Sequence, residues 1–323
     1  MSQQLIEQIL QTNQRRSQEF RETTNIRRDY RDAHSTEFLF TLCMDGRINI
    51  YSLTGLVFGL FNLLRNIGGI YHIGWDLFQS TLEQWRRFAQ SHDSDAVVIV
   101  TYHWSESDTH AGCAGHNYDL LGSIMTTQKL RDDIMNVYDG KILSVMMGIE
   151  TDNEAIILHG EEPGIRIDMF KEAATATEER ILHMATTALP SLPHKVRQDL
   201  VPILMGNAKH VLELQANPRQ PHERLHCERV LAIGTGFDWL DQLNFALIIG
   251  PCDPDRKRAV TKAAEIIWNN WGSGRIPDDK DGVLLVSAAC YEKNKKKAEA
   301  AKAIETAKST IEILNTMPHM EGL

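Results

Sequence analysis

The residues best equipped for chemistry lie in two short stretches, Cys43-Met44-Asp45-Gly46-Arg47 and His110-Ala111-Gly112-Cys113. Two thiols and an imidazole brought together form a soft donor set suited to Zn²⁺. Such a set fills three corners of a tetrahedron and leaves the fourth for water or a carboxylate. Zinc so held lowers the pKa of a bound water to around 7, giving hydroxide at neutral pH. The plain alternative is a pair of buried free cysteines. The Asp-x-Arg beside Cys43 argues against it, because that pair makes sense only near a metal or a substrate.

Each stretch follows an apolar, β-branched run, Phe38-Leu39-Phe40-Thr41-Leu42 for the first and Ala96-Val97-Val98-Ile99-Val100-Thr101-Tyr102 for the second. Runs of this kind suit the inner strands of a parallel sheet covered on both faces. Ligands of open α/β sheets gather at the carboxyl ends of such strands. The expected architecture is therefore an α/β fold with a parallel-rich sheet flanked by helices, and with the two stretches at one end of it.

At these positions the chain resembles the β-class carbonic anhydrases, which carry Cys-x-Asp-x-Arg after one strand and His-x-x-Cys after a later one. Arg65-Asn66-Ile67-Gly68-Gly69 is similar to the Arg-Asn-Ala-Gly-Gly segment the family places between them. The resemblance spans roughly residues 35 to 150. It implies zinc held by Cys43, His110 and Cys113, and reversible hydration of CO2 to bicarbonate by zinc hydroxide. Asp45 and Arg47 would form the ion pair that orients the hydroxide, or that frees Asp45 to close the site. The family's His sits close to its strand end, which favours His103, whereas His110 has the three-residue spacing to Cys113 but needs a loop some seven residues longer. Two ligands on one turn are the tighter constraint, so His110 is the expected ligand. Ala114 also departs from the family's Gly after the Cys. Two other functions fit the same residues: hydrolysis of a related heterocumulene such as CS2 or COS, and a zinc-stabilised scaffold without catalysis.

The composition, 42% hydrophobic and 24% charged over 323 residues, is that of a globular protein with a sizeable core. A net charge of −9 argues against nucleic acid as a partner. The lysine run from Lys293 to Lys297 reads as a solvated helix face. No segment approaches the ~20 apolar residues of a spanning helix, and residues 1 to 32 show no signal-peptide core. A cytoplasmic protein is expected, and five scattered cysteines agree with a reducing compartment. His222-Glu223-Arg224-Leu225-His226 matches the zinc-protease pattern, which needs a helix to align its imidazoles. Between Pro221 and a strand near Val230 there is room for barely two turns, so the match reads as coincidence.

Four segments follow: a helical arm over residues 1–34, a zinc-binding unit over 35–160, a helical connector over 161–216 and a second α/β unit over 217–323. The arm has little core of its own; a solvated helix or one packed across another surface both fit. The order strand, loop, helix, strand runs from 38 to 102 and again from 229 to 289. Laying Leu42 on Ile233 puts Gly234 at Cys43, Gly236 at Asp45 and Asp238 at Arg47, while Ala289 falls opposite His103. Either the second unit is a duplicated copy without ligands, or one larger sheet runs through both. Family sites form between two such units, so a homo-oligomer or an intrachain pseudo-dimer is implied.

Overall fold

The computed structural model describes residues 3–220, 227–237, 239–240, 244–276, 283–291 and 294–317. The His222–His226 motif, Asp238 and Lys293 lie outside the described residues. Two sheets are present. The first has the order β2-β1-β3-β4-β5-β6, built from Asn62–Asn66, Thr36–Cys43, Asp95–Trp104, Leu143–Glu150, Ala155–His159 and Arg166–Asp168. β2, β1, β3 and β4 run parallel, and β5 and β6 turn back antiparallel. β1 and β3 are inner neighbours, and β1 is buried along its whole length. That burial matches the unbroken apolar runs in the sequence.

Alternate residues of these strands feed two cores. Phe38, Phe40, Leu42, Val97 and Ile99 pack under α7 (Glu178–Ala188) and α8 (His194–Ala216). Leu39, Val98 and Val100 pack under α4 (Asp76–Ser91) and α5 (Leu120–Tyr138). Pro190 and Pro193 separate α7 from α8 as the sequence indicates. α3 (Ile50–Thr54) sits directly on α8: a Cβ added at Gly206 would lie 1.9 Å from the Thr54 carbonyl oxygen. Gly206→Ala must push two backbones apart, so it is expected to cost about 1–3 kcal/mol, read as a lower midpoint in denaturant unfolding.

The second sheet is wholly parallel, with the order β8-β7-β9 over Ala246–Ile249, Val230–Gly234 and Leu284–Ala288. Here too the first strand in sequence is central, and α9 (Arg256–Gly272) links the flanking pair as α4 does in the first sheet. Leu231, Ile233, Leu247 and Ile249 face α9. Val230, Ala232, Ala246 and Ile248 face the opposite way, toward Leu5 and Ile9 of α1 (Gln3–Glu22). The helical arm is thus a packed layer on the second sheet. It breaks at Thr23, before α2 (Thr24–Ala33), where the Arg27 guanidinium lies 3.6 Å from the Phe20 ring centre. Lys295, Lys296 and Lys297 are exposed at the start of α10 (Lys296–Asn315), as a solvated face requires. Among the described residues, no helix is long and apolar enough to cross a membrane.

The sheets meet edge to edge along β2 and β8. Met44 O accepts from Ile248 N at 2.8 Å and Arg65 O from Gly250 N at 2.7 Å. A Cβ on Gly46 would lie 2.3 Å from Ala246 O, so the Cys43 loop admits no side chain there. The sequence patterns had marked neither β2 nor β8. β2 carries Asn62, Arg65 and Asn66 beside its two leucines, so it lacks the unbroken apolar run that marks β1 and β3.

Candidate metal centre

Because β1 and β3 are parallel neighbours, their carboxyl ends deliver Cys43 and His103 to one place. β3 stays in the sheet past Tyr102, pairing His103 with Ile149 and Trp104 with Glu150. The loop after it is held by Asp152, whose carboxylate accepts from Ser105 Oγ at 2.9 Å and Ser107 N at 2.7 Å. It returns through a short 3-10 turn, Thr109–Ala111, that Asp108 caps by accepting from His110 N at 2.9 Å. Cys113 then enters beside Cys43, with Sγ to Sγ at 3.9 Å.

The ligand atoms of Cys43, His103 and Cys113 all lie within 4.8 Å of one another, and all three residues are buried. His110 does not join them. Its side chain is 81% exposed, 3.7 Å from Asp108 and against the Tyr118 ring. The turn that carries His110 presents its backbone N–H to Asp108 and its imidazole to solvent. The strand-end position, His103, brings the imidazole in.

The donors fit zinc. Two sulfurs bound tetrahedrally at about 2.3 Å stand about 3.8 Å apart, close to the separation seen. A disulfide would need about 2.05 Å. Both ring nitrogens of His103 are buried without a hydrogen-bond partner, an arrangement that costs about 1–3 kcal/mol per group unless something satisfies it. A metal on one nitrogen would do so. The hydrogen bond shared with Cys113 pulls the Cys43 thiol well below the usual cysteine range; burial opposes this and the His103 imidazole assists it. The same contact, together with burial, pushes the Cys113 thiol well above the range.

Beside it lies the Asp45–Arg47 pair, both side chains only 4% exposed. Asp45 Oδ2 accepts from Arg47 Nη2 at 2.6 Å, and Oδ1 accepts from Arg47 Nε at 3.1 Å and from Arg47 N at 2.8 Å. Arg47 Nη2 also donates to Ala111 O at 2.8 Å, tying the first stretch to the second. Burial works against the guanidinium charge, but Asp45 outweighs it and Glu228 adds to the attraction, so the Arg47 pKa is raised. Asp45 Oδ2 is 3.9 Å from His103 Nε2.

Arg65 shapes the loop from behind. It donates to Cys43 O at 3.0 Å, Asp45 O at 3.3 Å and Ile48 O at 2.5 Å. Gly69, at φ 63°, lets its segment pass under β1: an added Cβ would lie 3.1 Å from Thr101 O and 3.5 Å from Cys43 N. His116 Nε2 donates to this segment at Gly68 O, 3.0 Å away. The second sheet closes the other side. Cys43, Met44, Ile67 and Cys113 share one apolar cluster with Ile233, Ile249 and the α9 residues Ala259, Val260 and Ala263. Sequence reasoning missed Glu228 and Asp253 because they lie more than a hundred residues away and carry no motif. Glu228 is fully buried beside β7, and Asp253 is 7% exposed after β8.

No protein-family model matches the chain. Among curated proteins, the chain is 24% identical over 217 residues to the carboxysome shell carbonic anhydrase of Halothiobacillus neapolitanus. The match covers 55% of this chain, and the chain spans only 42% of the length of that relative. Among solved structures, a carbonic anhydrase from Streptococcus mutans aligns at 17% identity over 43% of this chain and 96% of its own. Its TM-score of 0.25 is below what a shared fold requires.

Proposed function

We propose that this chain is a zinc-dependent carbonic anhydrase of the β class, catalysing reversible hydration of CO2 to bicarbonate. The observation that carries the proposal is the convergence of Cys43, His103 and Cys113 within 4.8 Å, beside a buried Asp45–Arg47 pair. The sequence similarity to a curated carbonic anhydrase supports it. Zinc held by these three residues would supply acidification of a bound water to a pKa near 7. Asp45, as a carboxylate, only accepts hydrogen bonds. A water beside it must donate there and turn a lone pair outward. Arg47 holds Asp45 in that place through both carboxylate oxygens. Release of Arg47 would free Asp45 for the fourth ligand position and shut the site. The apolar wall from the second sheet keeps bulk water off and suits an uncharged linear substrate.

The second sheet reads as a degenerate copy of the first. Both put their first strand at the centre of a parallel trio, and both carry a helix between the flanking strands. Gly234 and Gly236 stand where the copy would need a thiol and a carboxylate. Arg65 of β2 and Met44, just after β1, accept from the β8 end of the second sheet, and α1 lies over that sheet as a partner's arm would. The four segments proposed from sequence then form one intrachain pseudo-dimer, with one zinc per chain. A cytoplasmic location is part of the proposal, and the relative's name extends it to a carboxysome shell.

A stopped-flow CO2 hydration assay on the zinc-loaded chain, with the metal counted, tests the reading. Hydration well above the uncatalysed rate with one zinc per chain is expected. A zinc-loaded chain that hydrates CO2 no faster than buffer would overturn the reading, in favour of a CS2 or COS hydrolase if either is turned over and of a scaffold if neither is.

A further inference from the structure

We infer that Asp253, a carboxylate of the second sheet, is a positioning residue of the metal centre, acting through the side-chain amide of Asn66. The inference rests on the reading of Cys43, His103 and Cys113 as a zinc site. Asn66 closes β2 opposite Cys43 in the register of the sheet. Its carbonyl accepts from Met44 N at 2.8 Å, so the backbone next to Cys43 hangs directly on it. The Asn66 side chain, 1% exposed with its residue, is fixed by two acceptors, Ile70 O at 3.0 Å and Asp253 Oδ2 at 2.9 Å. A carbonyl and a carboxylate can only accept, so Asn66 must present both protons of its Nδ2 and cannot flip.

Asp253 is held just as closely. Its side chain is 2% exposed. Oδ1 accepts from Asp255 N at 2.8 Å, and Oδ2 also accepts from Arg258 Nη2 at 3.2 Å. Three residues earlier, Gly250 N donates to Arg65 O at 2.7 Å. The turn between β8 and α9 thus grips two successive residues of β2. Those residues in turn grip the Cys43 loop, Arg65 by its guanidinium and Asn66 by its carbonyl. Burying a carboxylate from a distant segment costs free energy unless it is bonded in full. Here the bonds from Asp255 N and Arg258 fix the carboxylate in its own turn and the bond to Asn66 carries it to the end of β2; hydrogen-bonded groups behind the ligands of a metal tune its binding.

Zinc affinity by chelator competition, and the visible spectrum of the Co²⁺-loaded chain, provide the test without any turnover. Asp253→Ala is expected to weaken zinc binding about 10- to 100-fold and to alter the Co²⁺ bands. Asn66→Ala should do the same, and the double variant should lose no more than either alone, since both break one path. Arg258→Ala, which removes a 43% exposed partner and leaves the Asn66 contact, should keep wild-type affinity. If Asp253→Ala does not fold, Asp253→Asn carries the test, because its single carbonyl oxygen cannot accept from both Asn66 and Asp255. Folded variants with a lowered unfolding midpoint but wild-type zinc affinity and Co²⁺ spectrum would reduce Asp253 to packing and overturn the inference. A wild-type chain that binds neither ion would end the metal-centre reading, and this inference with it.

Discussion

His103→Ala is expected to strip zinc from the chain, whereas His110→Ala should keep it. His103 is one of three donors within 4.8 Å, and removing a third of a tetrahedral set leaves two sulfurs that cannot hold the ion in competition with a chelator. His110 is 81% exposed, beside Asp108 and Tyr118 and outside the donor cluster, so its loss should alter the loop surface and spare the metal. Cys43→Ser and Cys113→Ser should match His103→Ala, while Cys252→Ser and Cys290→Ser should retain the metal. Zinc counted by mass spectrometry after gel filtration gives the answer. Retention in His103→Ala with loss in His110→Ala would mean that the spacing to Cys113 governs ligation after all.

Arg47→Leu is expected to cost about 3–5 kcal/mol of stability, because it leaves the Asp45 carboxylate buried without its cation. The pair is nearly inaccessible, with each side chain 4% exposed, so water cannot replace the guanidinium cheaply. The link to Ala111 O is lost as well. Zinc should stay bound, since neither residue belongs to the three donors, but hydration should fall sharply with Asp45 free to occupy the fourth position. Adding Asp45→Asn to Arg47→Leu should recover part of the stability, as a neutral pair no longer strands a charge, while leaving the chain inactive. Denaturant unfolding, zinc content and hydration rate separate these effects. A single variant that stays as stable as wild type would show that the ion pair is not the buried contact described.

Much of this was legible in the residues themselves. The apolar runs before Cys43 and before His103 fix two inner parallel strands, because only a strand covered on both faces can afford no polar alternation. Cys43 closes β1 and Asp45 and Arg47 follow directly on it, so their nearness to one another is local, whereas Cys113 reaches Cys43 only after the loop beyond β3 returns. The choice of histidine was not local. It depended on β3 holding its pairing with β4 for two residues beyond Tyr102, and on Asp152 and Asp108 drawing the next loop outward. Those contacts come from β4, its turn and the loop's own fold, and no spacing along the chain encodes them. The role of the second sheet was likewise hidden. Strand order could be read twice in the sequence, but the meeting of β2 with β8 rests on Gly46 leaving room for Ala246 and on Asp253 reaching Asn66. Local pattern sets which elements form; long-range packing decides which side chains meet, because burial and hydrogen bonding are satisfied across the fold and not along the chain.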